Sequence, residues 1–330
     1  MTEPVAKMIR VLFISLLLVM NAAGMRSIAQ CCASGNPFIS DAEQPALQSR
    51  VLTAALTYRY SHSEQFYHND SPYDDLDFTQ TANVNYAELQ LAYGVTKWLT
   101  VMGDLGYFFN KTLHTEGQDP MRGYGLGDAA LYLKFNLYSN AKARFTISPS
   151  IGMKFPIGVF DQEVDNVKLP ISVQPSSGSF KYLANVFISK GIAKKMALAG
   201  FISYEYAQLI ESENFFYQYG QQWIGAIYFN YKIIKNLSLD LQIRNEHRAK
   251  ATRENSEIVE SSGYNVTYFT PQLTYAFKYN WYLSAFGDIP VYKYYNGIQM
   301  SFGYALSLRL TKKIDFITIQ ARKQASKTSN

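Results

Sequence analysis

The sequence predicts an all-β protein, a transmembrane antiparallel up-and-down β-barrel of about twelve strands. Three observations lead there. The chain opens like an exported protein, no segment is apolar for long enough to cross a bilayer as a helix, and the remainder alternates between apolar and polar residues with period two.

The export signal comes first. Lys7 and Arg10 precede the apolar run from Val11 to Met20, and small residues follow as far as Ser27-Ile28-Ala29, the layout of a secretory signal peptide. A spanning helix needs about 20 apolar residues, so this run reads as a leader cleaved after Ala29 rather than as an anchor. Residues 1–29 are then the leader, 30–49 a periplasmic lead-in, 50–311 the barrel and 312–330 a periplasmic tail. The competing reading is a lipoprotein, because Ile28-Ala29-Gln30-Cys31 loosely matches a lipobox, with Gln30 where a small residue belongs.

The only two cysteines, Cys31 and Cys32, are adjacent and cannot staple distant parts of a chain. Two neighbouring thiols are also half a metal site at best. The chain holds 26 Tyr and 21 Phe, carries a formal charge of +5 and has no single-sign tail, which gives no footing for nucleic acid. Its average hydropathy is slightly polar. A barrel produces that average because lipid-facing and water-facing residues cancel.

The clearest alternation sets the phase. Phe145, Ile147, Ile151, Met153 and Phe155 interleave with Arg144, Thr146, Ser148, Ser150 and Lys154, and Leu237, Leu239, Leu241 and Ile243 with Ser238, Asp240, Gln242, Arg244 and Glu246. Successive strand side chains point to opposite faces, so one face is apolar and the other polar. Reading on in this way gives strands near 50–62, 81–94, 98–109, 124–138, 143–157, 178–190, 196–209, 220–233, 237–249, 264–280, 281–291 and 297–311. A phase change near Ala87 reads as a bulge. Connections alternate between short and long, which places the short turns and both termini in the periplasm. Ile314 to Gln320 could add another strand, and the next even number makes a fourteen-stranded barrel the alternative. Tyr58, Tyr60, Tyr107, Phe109, Tyr204, Tyr206, Trp223, Tyr279 and Trp281 stand at strand ends, as interfacial girdles require. A soluble antiparallel sandwich is the alternative, and it explains neither the leader nor the loop asymmetry.

Two stretches carry a family resemblance. Gly125-Leu126-Gly127-Asp128 opens a strand that continues through Leu131 to Phe135, and one hairpin later comes Gly152-Met153-Lys154-Phe155-Pro156-Ile157-Gly158. The pairing resembles outer-membrane transporters of the phenol-degradation MetA-pathway type, which are distantly like long-chain fatty-acid channels. The resemblance covers about a quarter of the chain and implies a passive channel for small solutes, hydrophobic or aromatic compounds among them. It also implies sideways exit of apolar cargo. Pro149 and Pro271 are the candidate kinks for such a gate, because proline cannot donate to a ladder. Ser301, Gly303, Leu306 and Leu308 resemble the final-strand signal read by the outer-membrane barrel assembly machinery. The expected partners are therefore outer-membrane lipid, that machinery and a small-molecule solute.

No catalytic residue and no cofactor is assigned. A barrel enzyme is the alternative class, with Glu246-His247 and Asp74-Asp75 as its acidic and histidine pairs, but no Gly-x-Ser-x-Gly accompanies them. A non-conducting structural or surface-recognition barrel is the third. His68, Asp70, Asp74 and Asp75, with His62 and Asp77, form an oxygen-rich loop that lacks the spacing of a calcium site. The lumen is expected to hold Arg59, Lys134, Arg144, Lys154, Lys181, Lys232, Arg244, Arg248, Lys278 and Arg309 against Glu88, Asp104, Asp128, Glu205, Asp240, Glu246 and Asp288. From these, Arg144, Lys154, Arg244, Arg248, Lys134, Asp128, Asp240 and Glu246 are the candidate lining and selectivity residues.

Overall fold

The computed structural model describes residues 45–317 apart from Asp77, Glu213 and Asn214; the leader, Cys31, Cys32 and the tail from 318 onward lie outside them. Twelve long strands form one antiparallel sheet: β1 Val51–Ser63, β2 Gln80–Gly94, β3 Leu99–Thr115, β4 Met121–Phe135, β5 Phe145–Phe155, β6 Lys181–Ala193, β7 Met196–Ala207, β8 Gln222–Ile234, β9 Leu237–Arg248, β10 Tyr264–Ala276, β11 Trp281–Met300 and β12 Tyr304–Asp315. Each strand pairs with its sequence neighbours, and β12 pairs with β1 from Val51↔Asp315 to His62↔Tyr304, which closes the barrel. Closure joins the first and last strands, so neither end of the sheet is left as an edge in lipid.

Exposure runs opposite to that of a soluble protein. Ile151, Ile227 and Leu306 are more than half exposed on the outside, whereas Lys134 is 1% exposed and Thr57 and Gln90 are fully buried inside. That distribution is the mark of a transmembrane barrel, with lipid outside and a polar lumen. Aromatic pairs gather on the outer face, among them Tyr204 with Trp223 and Tyr107 with Phe109.

Several expected boundaries move, each for a local reason. β11 runs to Met300 and not to 291, because Val291 is an extra residue between the pairs Thr267↔Tyr292 and Tyr268↔Pro290. This bulge breaks the alternation without ending the strand. The twelfth strand accordingly starts at Tyr304, so Ser301 and Gly303 lie in the preceding connection, while Leu306 and Leu308 point outward from the strand. Lys312 to Asp315, expected in the tail, complete β12, and Ile314 belongs to that strand and not to a thirteenth. The phase change in β2 is a register shift between Asn85 and Tyr86.

Two segments enter the barrel. At the end where β1 starts and β12 finishes (the near end), Arg50 takes φ 58° and turns the chain inward. There the backbone N–H of Ala46 donates to Ser148 Oγ (3.1 Å) and that of Leu47 to Thr100 Oγ1 (2.9 Å), and the Leu47 side chain packs against Ala92, Met102, Tyr132 and Leu183. At the far end, the connection between β5 and β6 folds in, burying Leu169, Val173, Gln174 and Ser176. Beside it, Ile210–Ser212, Phe215–Gln218, Thr252–Arg253 and Glu257–Ile258 make a small separate sheet.

This phase fixes an asymmetric response to charge. Ile151→Arg, on the lipid face, is expected to destabilise the barrel by about 2–4 kcal/mol, and Gln242→Arg, which faces the near-end lumen, by much less. Urea unfolding of the refolded protein in phospholipid vesicles measures both, and equal losses would contradict the placement.

Candidate functional site

The lumen is divided into two chambers. The near-end chamber, about 560 Å³, is lined by Asp240, Gln242, Arg244, Thr270, Phe286 and Arg309 among others. The far-end chamber, about 160 Å³, lies under the inserted loop and is lined by Phe108, Asp128, Tyr132, Lys154, Lys181 and Tyr219 among others. Along β9, Arg248 lines the far chamber and Gln242 the near one, so Glu246 falls between them.

That intervening level is a layer of ion pairs. Arg59 donates to Asp288 at 2.6 Å, Arg244 reaches Asp288 at 3.4 Å and Glu246 at 2.8 Å, and Thr270 donates its hydroxyl to the other Asp288 oxygen at 2.5 Å. Four barrel strands, β1, β9, β10 and β11, are tied together by these contacts. The Arg244 guanidinium also stands 4.8 Å from the centre of the Tyr268 ring. Buried ions of both signs must be paired, since an uncompensated charge here costs several kcal/mol.

A second cluster sits in the far chamber. Glu205 on β7 accepts from Lys154 at 2.7 Å and from Arg248 at 3.4 Å, and Lys181 Nζ lies 3.8 Å from it and 3.9 Å from Asp128. Asp128 is committed to the inserted loop. It accepts from the Ser176 hydroxyl (2.8 Å), the Ser177 backbone N–H (2.9 Å) and the Ser177 hydroxyl (2.5 Å). Lys111 Nζ donates to the Gln174 carbonyl at 2.7 Å, and the Tyr219 hydroxyl to the Ser177 carbonyl at 3.0 Å. The adjoining Gly127 follows from packing, because a Cβ there would lie 3.1 Å from the Phe108 ring.

Among the expected lining residues, Lys134, Lys154, Arg244, Arg248, Asp128, Asp240 and Glu246 face the interior. Arg144 does not. It precedes β5 in a turn at φ 49° and its guanidinium donates to the Ala193 carbonyl, so the alternation had been carried one residue past the strand's end. Lys278 likewise belongs to the turn between β10 and β11, and Lys232 is exposed at the near end, beside the register shift that ends β8.

Pro149 and Pro271 each keep regular register on one side, opposite Val186 and Leu241. On the other side the ladder is interrupted. Pairing of β5 with β4 stops at Ser150 and resumes at Ile147 against Tyr138–Asn140, and pairing of β10 with β11 skips from Phe269 to Gln272. The missing proline N–H accounts for both gaps.

Glu246 and His247 point to opposite faces, the carboxylate into the lumen and the exposed imidazole outward beside Trp223 in the register, so they cannot act as a pair. Asp74 accepts from Gln65 at 2.7 Å, Asp70 from Ser71, and the His68 ring stands edge-on to Tyr73. Among the described residues no three His, Cys, Asp or Glu side chains converge as a metal site.

Lys111, Tyr219 and the inserted loop were not anticipated. A sequence signal exists: Leu169 to Phe180 contains no charged residue, whereas Asp161 to Lys168 contains four. An uncharged stretch bearing Leu, Ile and Val within an outer loop has apolar surface to bury.

Fold and lumen together define a class, the transmembrane β-barrels with a charged, partly filled interior. No family model matches the chain, and no curated protein is similar to it. Among solved structures it is similar to an outer membrane channel from Pseudomonas putida, with a TM-score of 0.66 and 15% identity over 84% of this chain and 100% of that one. It is also similar to the CymD monoaromatic hydrocarbon channel, at a TM-score of 0.43 and 11% identity over 81% of this chain and 89% of that one. At these identities the likeness to the first is one of fold.

Because one carboxylate holds three contacts to the loop, Asp128→Ala is expected to speed hydrogen exchange at Ser176 and Ser177 by at least about tenfold, since hydrogen bonds to charged groups contribute roughly 1.5–3 kcal/mol each. Exchange followed by mass spectrometry should show the barrel strands unchanged. Unaltered exchange in the loop would mean that other contacts hold it.

Proposed function

We propose that the protein is a passive channel for small solutes in the outer membrane of a Gram-negative bacterium. The single observation that carries this reading is the pair of chambers stacked within one closed barrel. A barrel built only for rigidity would fill its interior with side chains, whereas this one keeps space on both sides of an ion-pair layer. The fold shared with the Pseudomonas putida channel supports the same reading. Export with a cleaved leader, periplasmic termini and insertion by the barrel assembly machinery complete the proposal, the last supported by the outward Leu306 and Leu308 of the closing strand.

The inserted loop and the near-end segment narrow the path, so small conductance is expected. Arg244 lines the near chamber and Lys154 and Arg248 the far one, which gives passing anions a lower barrier than cations. Apolar cargo would leave sideways at a break in the wall, as the family resemblance implies. Besides the gaps beside Pro149 and Pro271, β4 lacks a β5 partner beyond Ala129↔Phe155, and Tyr124 there exchanges backbone hydrogen bonds with the Gln162 side chain.

In planar bilayers under a potassium chloride gradient, the reversal potential should indicate weak anion preference at about 0.1 M salt, fading as salt shortens the screening length. Arg244→Ser and Arg248→Ser should each reduce it. Arg144→Ser should leave it unchanged, because that residue lies in a turn. Cation preference, or no conductance from correctly folded protein, would overturn the proposal.

A further inference from the structure

The far chamber contains a lysine with unusual standing. Lys181 is 5% exposed and its ammonium lines the cavity, yet among the described residues it makes no hydrogen bond: its nearest carboxylate oxygens, on Glu205 and Asp128, stand at 3.8 and 3.9 Å. Those carboxylates are already engaged, Glu205 by Lys154 and Arg248 and Asp128 by the serines of the inserted loop. An ammonium has three donors, and this one opens onto the cavity, where an acceptor on a ligand can meet them.

The walls around this ammonium are aromatic. Phe108, Tyr86, Tyr132, Tyr217, Tyr219 and Tyr264 line the same cavity, and the Tyr219 ring centre lies 4.9 Å from Lys181 Nζ. A cavity of about 160 Å³ matches in size an engineered apolar cavity of about 150 Å³ that accommodates benzene.

We propose that the far chamber is a binding site for a single-ring aromatic carboxylate of benzoate size, its carboxylate accepting from Lys181 and its ring held among Phe108, Tyr132 and Tyr219. The carboxylate meets the donor positions of the Lys181 ammonium, and the ring fills the space between the aromatic walls. This rests on the channel reading and gives the path a selective step beneath the inserted loop.

The test is calorimetric titration of the full mature chain, refolded in detergent, with sodium benzoate, acetate and phenol. Benzoate should bind with saturation, and acetate and phenol each at least about tenfold more weakly, lacking the ring or the charge. Lys181→Met should weaken benzoate binding about tenfold, the loss of one charge-assisted hydrogen bond, and Lys181→Arg should retain more of it. Tyr219→Leu, in an outer loop, removes one aromatic wall while keeping every charged residue of the cluster, and should also weaken binding, which keeps the test valid if Lys181→Met fails to fold. No saturable benzoate binding, or equal binding by the wild type and both non-conservative variants, overturns the site. Chloride conductance measured on the same preparation separates the two ideas: conductance without benzoate binding refutes only the site, and binding without conductance supports the site and refutes the channel.

Discussion

Backbone N–H and C=O groups in a lipid environment must find partners within the protein, and twelve antiparallel strands meet that demand only because β12 returns to β1. Once the ladder closes, every strand residue has just two places to go. Leucines and isoleucines take the lipid side, and the charges that a helical membrane protein would exclude from its spans are collected inside. Nearly everything else about the molecule follows from that forced sorting.

A lumen gathered in this way has several small apolar clusters in place of one core, and ion pairs and amide contacts between strands far apart in sequence add to its cohesion. Arg59 and Asp288 join the first strand to the eleventh. Such pairs are costly to desolvate and more costly to break, which makes them better at fixing one arrangement than at adding net stability. Two chambers result because the layer of Arg59, Arg244, Glu246 and Asp288 stands between them.

The strand pattern was legible because alternation is a local property. Leu237 to His247 shows its faces residue by residue, and β9 covers almost the same span. Legibility fails where geometry depends on the partner strand. The extra residue at Val291 looked like a strand end, since a bulge and a terminus break alternation in the same way. Arg144 kept the right parity but stood one position beyond the ladder. What Asp128 holds could not be read from Gly127-Asp128, because Ser176 and Ser177 reach it through a loop whose inward path is set by tertiary packing. Lys181 was placed inside correctly, but that its neighbours are already taken is visible only in three dimensions.

The near-end segment has a consequence for the order of events during folding. Ala46 and Leu47 are held by Ser148 on β5 and Thr100 on β3, and Leu47 packs against the cluster that includes Leu183 of β6, so its seat does not exist until those strands have assembled. The Ala46 contact spans 102 residues of sequence, and loop-closure entropy disfavours so distant a contact before the intervening hairpins have formed. Residues that leave the ribosome before the first strand are therefore among the later ones to reach their native place. The segment acts as a cork, fitted from the inside only after the cask has been coopered.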